Sequence, residues 1–281
     1  MSGKPIPAGD SPGDCAFSQD GARLYIAERF GKSIAVLDTR SQRIIANIGV
    51  GHQPRGIAVS PDDRTIWVAN YADKTIQAID SRTLRAGAPI AVGGKPRDIA
   101  ITADGSRLYV SLRDTGLVQP VTPGSPGVTV PTLLQPIEAG PLPSMLALSP
   151  KGDRLYVIDY DGSLRVIDTI AGRMVESFPA GATPFALALS PDGRTAYVAA
   201  LAAHMLTQID LTTGRRLSNI SLDGAPSDIA LTPDGRTLLA VDESDGAIVP
   251  VDLKAGAAGR DAAIDATTLL SVVLPPVHRT P

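Results

Sequence analysis

The sequence has one cysteine, Cys15, and three histidines, His52, His204 and His278. A single cysteine excludes an intrachain disulfide and a cysteine-rich metal site. The histidines are few and widely spaced, which argues against a shared metal or an imidazole acid–base pair. Aromatic residues are also scarce: one Trp, six Tyr and four Phe in 281 residues. Neither sign of charge dominates, with 26 Lys+Arg against 29 Asp+Glu and a net charge of −3. This balance excludes nucleic-acid binding by charge alone and a polybasic membrane patch. No apolar run reaches the roughly 18 residues of a membrane span. The most apolar tail segment, Thr267 to Val277, is short and holds Pro275 and Pro276. Met1-Ser2-Gly3-Lys4-Pro5 lacks the apolar core of a signal peptide, so none is expected in this chain unless one was removed. Gly31-Lys32-Ser33 looks like the end of a phosphate loop, but Ile26 stands where its upstream glycine belongs.

What the chain does have is turn formers, 27 Gly and 24 Pro, beside 43% hydrophobic residues. That density of helix breakers excludes a helical bundle, and the apolar content is ample for a core. One phrase recurs, an apolar pair followed by a Ser-Pro-Asp-Gly-like turn. It reads Ala16-Phe17-Ser18-Gln19-Asp20-Gly21, Ala58-Val59-Ser60-Pro61-Asp62-Asp63 and Ala100-Ile101-Thr102-Ala103-Asp104-Gly105. It returns as Ala147-Leu148-Ser149-Pro150-Lys151-Gly152, Ala188-Leu189-Ser190-Pro191-Asp192-Gly193 and Ala230-Leu231-Thr232-Pro233-Asp234-Gly235. The spacings are 42, 42, 47, 41 and 42 residues. Each period holds four short runs rich in branched or aromatic residues, bounded by Gly, Pro, Asp or Ser. In the second period these are Gly56 to Ser60, Thr65 to Asn70, Thr75 to Asp80 and Ala88 to Val92. Four strands in about 40 residues, joined as a meander, describe a β-propeller blade.

Trp67-Val68-Ala69-Asn70 and Leu108-Tyr109-Val110-Ser111 resemble the motif of YVTN-type β-propeller repeats, and Leu24-Tyr25-Ile26-Ala27, Leu155-Tyr156-Val157-Ile158 and Ala196-Tyr197-Val198-Ala199 are weaker copies. The resemblance covers roughly residues 3–252. It implies an all-β propeller of a bacterial type, periplasmic or at the cell surface if a signal was removed and cytoplasmic otherwise. The repeat residues of that family are structural, so it implies little about activity. Its relatives often have seven blades. Some are lyases or lactonases with His or acidic metal ligands near the channel, and no position here matches such a His motif.

The expected fold is a β-propeller of six four-stranded antiparallel blades, with seven as the alternative. It occupies residues 1–252 as one domain. The repeats lie near 12–50, 54–92, 96–138, 143–179, 184–222 and 226–252, with 3–8 completing the last. Residues 3–14 align with 87–98 at an offset of two repeats, so the N-terminal strand, Pro5 to Ala8, is expected to close the ring as the outer strand of blade six. The rival for that place is Thr267 to Leu274, within a tail spanning 253–281.

Repetition separates scaffold from candidate function. Asp20, Asp62, Asp104, Asp192 and Asp234 recur in the turn between strands one and two, where Asp bonds the local backbone. Asp38, Asp80, Asp168, Asp210 and Asp252 recur at the end of strand three. The recurrent Tyr and Trp positions read as core. Cys15 stands where other repeats have Ile57, Ile99, Leu146, Leu187 and Ile229, so it is expected to be buried and inert.

The loops between strands two and three, and between blades, diverge inside this frame, and loops on a rigid scaffold carry function. Their face collects an acidic arc of Asp14, Glu28, Asp228, Asp242, Glu243 and Asp245. A basic arc holds Arg29, Arg55, Arg97 and Arg113, with Asp98, and an apolar arc holds Met145, Phe185, Leu201 and Met205. Tyr71 and Tyr160 stand in the same loops. The expected function is non-catalytic recognition of a small polar ligand or a protein or peptide partner at Asp14, Arg29, Arg55, Tyr71, Arg97, Asp98, Arg113, Tyr160, Phe185, Asp228 and Glu243. The alternative is a metal-assisted lyase or lactonase-like hydrolase at the same mouth. No cofactor and no catalytic residue is expected. Ca²⁺ held by the Asp14–Asp228 pair, with Asp98 and Glu28, is the one metal to weigh. A monomer is expected.

Overall fold

The computed structural model describes residues 12–124, 130–222, 224–232, 234–242, 247–254 and 257–258. Among them every regular element is a strand. The strands form six small antiparallel sheets, the blades of a β-propeller, each running in chain order from its first strand outward. No helix of the described residues is long and apolar enough to cross a membrane.

The chain divides into two units, residues 1–138 and 139–281. In the first unit, blade one is Pro12–Phe17, Arg23–Glu28, Ser33–Asp38 and Arg43–Gly49. Blade two is Pro54–Val59, Thr65–Asn70 and Thr75–Asp80, with an outer strand in two pieces, Arg85–Ala86 and Ile90–Ala91. The sequence led us to expect an unbroken run there. Pro89 lacks an N–H and constrains the residue before it, so the ladder lapses between the pieces. Blade three is Pro96–Ile101, Leu108–Leu112 and Leu117–Thr122, with Thr132–Leu133 and Ile137–Glu138 sharing its outer position.

In the second unit, blade four is Pro143–Leu148, Arg154–Asp159, Ser163–Asp168 and Arg173–Pro179, and blade five is Pro184–Leu189, Thr195–Ala200, Met205–Asp210 and Arg216–Ser221. Blade six is Pro226–Leu231, Thr237–Asp242 and Ala247–Asp252, and Ala257–Ala258 pairs with Val251 and Asp252 in its outer position. A segment expected to be tail thus begins that outer strand. The N-terminal closing strand and its rival at Thr267 to Leu274 lie outside the described residues.

The core lies between successive blades of a unit. Tyr25, Ile34, Ile57 and Ile66 join blades one and two, and Trp67, Ile76, Ile99 and Leu108 join two and three. Tyr156, Leu164, Val198 and Ile209 do the same for four and five, and Tyr197, Leu206, Ile229 and Leu238 for five and six. Each large side chain buried this way contributes about 1.5–3 kcal/mol. The recurrent aromatic residues are therefore interblade packing, as the repeat pattern indicates.

The recurrent turn acids are local braces. Ser18, Ser60, Thr102, Ser190 and Thr232 donate their hydroxyls to Asp20, Asp62, Asp104, Asp192 and Asp234 at 2.5–2.6 Å. In blade four, where Lys151 replaces the aspartate, Ser149 donates to Asp153 instead at 2.7 Å. The donated bonds hold these carboxyls below the usual carboxylate range, and Asp104 falls to about 2. A carboxyl depressed by folding stabilises above its unfolded value, near 3.9, and loses that contribution as pH falls through its folded value. We predict an unfolding temperature that holds down to about pH 4 and declines between about 4 and about 2, less steeply in Asp104→Asn. A profile that Asp104→Asn leaves unaltered contradicts the brace.

Candidate functional site

In every first strand the pairing slips just after the opening proline. The shift falls between Pro12 and Cys15, Pro54 and Ile57, and Pro96 and Asp98 in the first unit. It falls between Pro143 and Leu146, Pro184 and Ala186, and Pro226 and Asp228 in the second. A bulge of this kind bends its strand and re-aims side chains out of the ladder. The residues it releases include Asp14, Arg55 and Arg97. The divergent loop positions thus gain their side-chain direction from a repeated backbone device.

In the first unit this brings the basic arc together. A Cβ on Gly56 would stand 2.5 Å from the Asp98 Cα, so the first strands of blades two and three touch backbone to backbone beside Arg55 and Arg97. Arg29 leans over Gly13, its Nε 3.8 Å from where a Cβ there would lie. The Arg55 guanidinium stands over the Tyr71 ring at 4.4 Å from the centroid, and the Lys95 ammonium at 5.6 Å. Arg97 is only 6% exposed. The Nε atoms of Arg55 and Arg97 are both buried without a hydrogen-bond partner. Among the described residues no ion pair involves Arg29, Arg55 or Arg97. Burial, then the charges of Arg97 and Arg29, pull the Arg55 guanidinium down to about 10. Arg113 is half-buried, its amide donating to the Lys95 carbonyl at 2.9 Å.

The nearby acids are engaged by backbone. Asp14 accepts from the Cys15 amide at 2.9 Å and from the Ile57 amide at 3.3 Å. Asp98, itself buried, accepts from the Ile99 amide at 2.8 Å, and Asp228 from the Ile229 amide at 2.8 Å. These carboxylates brace their own bulges. Glu28 accepts from the Ser33 hydroxyl within its own hairpin. Glu243 and Asp245 lie outside the described residues.

In the second unit, Tyr160 and Phe185 meet edge to face with centroids 6.2 Å apart, and Met145 packs on the core of blades four and five. Asp159 is fully buried. It accepts from the Leu142 amide at 3.0 Å and pairs with Arg165 at 3.2 Å. His52, in the first unit, has Nδ1 3.0 Å from Asp73 Oδ2, and the same oxygen accepts the His52 amide at 2.7 Å. His204 is an exposed loop residue with φ of 51°.

Three contributors escaped the sequence reading. Lys95 joins the basic group, and Asp73 and Asp114 clamp the loops ahead of blades two and three, Asp114 by taking the Lys95 amide at 2.5 Å. The signal for Lys95 was present: it precedes Pro96, at a position that reads Gln53, Leu142, Thr183 and Ala225 in other blades. The sequence reading also misplaced Cys15, which is exposed. Its counterparts Ile57, Ile99, Leu146 and Ile229 are buried.

Residues 10–118 match the family model described as the cytochrome D1 heme domain. No curated protein matches the sequence. Among solved structures, hydrazine synthase from Kuenenia stuttgartiensis is similar at 18% identity and a TM-score of 0.62, over 89% of this chain and 97% of that one. A functionally unknown protein from Desulfotomaculum acetoxidans DSM 771 is similar at 14% identity and a TM-score of 0.76, over 88% and 84%. At these identities the likeness is one of fold. The matched family is a propeller family other than the YVTN-type repeats that the motifs resemble. The expectation of no cofactor is contradicted by the same match, because the family model is described as a heme domain.

The exposure of Cys15 is directly measurable. We predict that a thiol reagent labels one site per chain in the native protein at a rate near that of the unfolded chain, and that Cys15→Ser abolishes it. Labelling that waits for denaturant contradicts this placement.

Proposed function

We propose that this protein is a ligand-binding propeller whose loop face in the first unit recognises an anionic ligand. The carrying observation is the pair Arg55, half-buried, and Arg97, buried, both with orphaned Nε atoms and no ion-paired acid among the described residues. A cation taken from water without a partner is costly, and a charge-assisted bond to a ligand oxygen offsets that cost. Arg29, Arg113 and Lys95 extend the group. Tyr71 fixes the Arg55 side chain from below.

The stretch that matches the heme-domain family lies within the unit that carries these arginines. Its residues suit the groups a heme presents. Arg55 and Arg97 suit the carboxylates. Phe30, 72% exposed on the loop after Arg29, suits cover for a flat macrocycle. His52 suits the iron, because an imidazole whose Nδ1 is tied to a carboxylate is oriented for a metal at Nε2. A bound heme would supply redox or gas-binding chemistry. The chain's own residues orient its acids and hold its charge.

The test is a titration of purified protein with hemin, followed by absorbance. We predict saturable one-to-one binding that Arg55→Gln with Arg97→Gln weakens by about tenfold or more, since each lost charge-assisted bond is worth about 1.5–3 kcal/mol. His52→Ala should alter the spectrum of the bound state while the arginines retain most of the affinity. Hemin binding that ignores both sets of changes would show association away from this face.

A further inference from the structure

We infer that the arginine group takes a ligand bearing at least two negative charges on paired oxygens, as a phosphate ester or a dicarboxylate does. This rests on the reading of the first unit's loop face as the binding face. Arg29 lies beside Gly13, and Asp14 next to it reaches the Ile57 amide. Gly56 then abuts Asp98, which carries the chain of contacts on to Arg97. Arg55 and Lys95 share the Tyr71 ring, and the Arg113 amide holds the Lys95 carbonyl. The charges of Arg97, Arg29 and Arg113 all act on Arg55, and Lys95 shares its ring, so five cationic side chains neighbour one another.

Two acids, Asp14 and Asp98, stand among these five cations, and both accept from backbone amides. Asp114 takes the Lys95 amide at 2.5 Å and pairs with the Lys74 ammonium at 3.1 Å. A monoanion leaves cations facing one another at short range, where the local dielectric is low and repulsion strong. A ligand with two or more charges relieves more of it. Arginine forks match paired oxygens of carboxylate or phosphate in a bidentate manner, and Arg97 is nine-tenths buried with its Nε waiting for such an acceptor.

The experiment compares four probes, acetate, inorganic phosphate, pyrophosphate and succinate, by calorimetric titration of the full chain at low ionic strength. Pyrophosphate or succinate is expected to bind about tenfold or more tighter than acetate. Preference for pyrophosphate assigns phosphoryl oxygens, and preference for succinate assigns carboxylates. Arg55→Gln with Arg97→Gln should erase the advantage of the multivalent probes without lowering the unfolding temperature. If that variant fails to fold, Lys95→Gln, at a half-exposed residue, should reduce the same advantage. Acetate binding as tightly as pyrophosphate and succinate overturns this inference and leaves the anion site standing. Absence of binding by all four probes overturns both.

Discussion

The first strands of blades two and three meet so closely that Gly56 has no room for a side chain against the Asp98 backbone. That contact governs much of what the first unit does. It sets two bulged strands side by side, and each bulge carries an arginine just after its proline. Like charges are thereby held together by backbone packing, against their own repulsion. Burial first, and then the charges of Arg97 and Arg29, pull the Arg55 guanidinium down to about 10. A scaffold that holds cations in place before a ligand arrives spares the ligand the cost of ordering them.

The two faces of each blade handle charge in opposite ways. On the turn face, every described aspartate of the recurrent phrase takes a hydroxyl from the residue two positions earlier, and blade four keeps the same brace through Asp153. Those acids are consumed by local structure. On the loop face of the first unit, the acids brace bulges while the arginines keep unmet donors. In the second unit the loop face is settled differently, with Asp159 paired to Arg165 and Tyr160 resting against Phe185. Repetition of the backbone with variation of the loops thus places Arg55 and Arg97, with unmet donors, on the loop face of the first unit.

The blades were legible because their spacing, 41–47 residues, and their turn phrase are written directly in the residues. The structural role of the turn acids was legible from Lys151, which breaks the acid without breaking the turn. Arg29, Arg55, Arg97 and Arg113 were legible as a basic arc because they diverge at positions the repeat otherwise fixes. The burial of Arg97 was not, since side-chain exposure depends on the bulge and on the neighbouring strand. Cys15 was misjudged because its repeat position is apolar and buried in other blades, at Ile57, Ile99, Leu146 and Ile229. The break at Pro89 was readable in principle from the missing N–H. No local pattern in the sequence pointed to the heme named by the family model that residues 10–118 match.

The account turns on the orphaned Nε atoms of two arginines, and these can be watched directly. Arginine Nε–Hε resonances recorded by NMR during a pyrophosphate titration separate this site from every other cation on the surface. The account predicts that the Arg55 and Arg97 signals shift together and saturate, while those of Arg107 and Arg154 stay in place. Shifts confined to other arginines, with Arg55 and Arg97 unmoved, would contradict it.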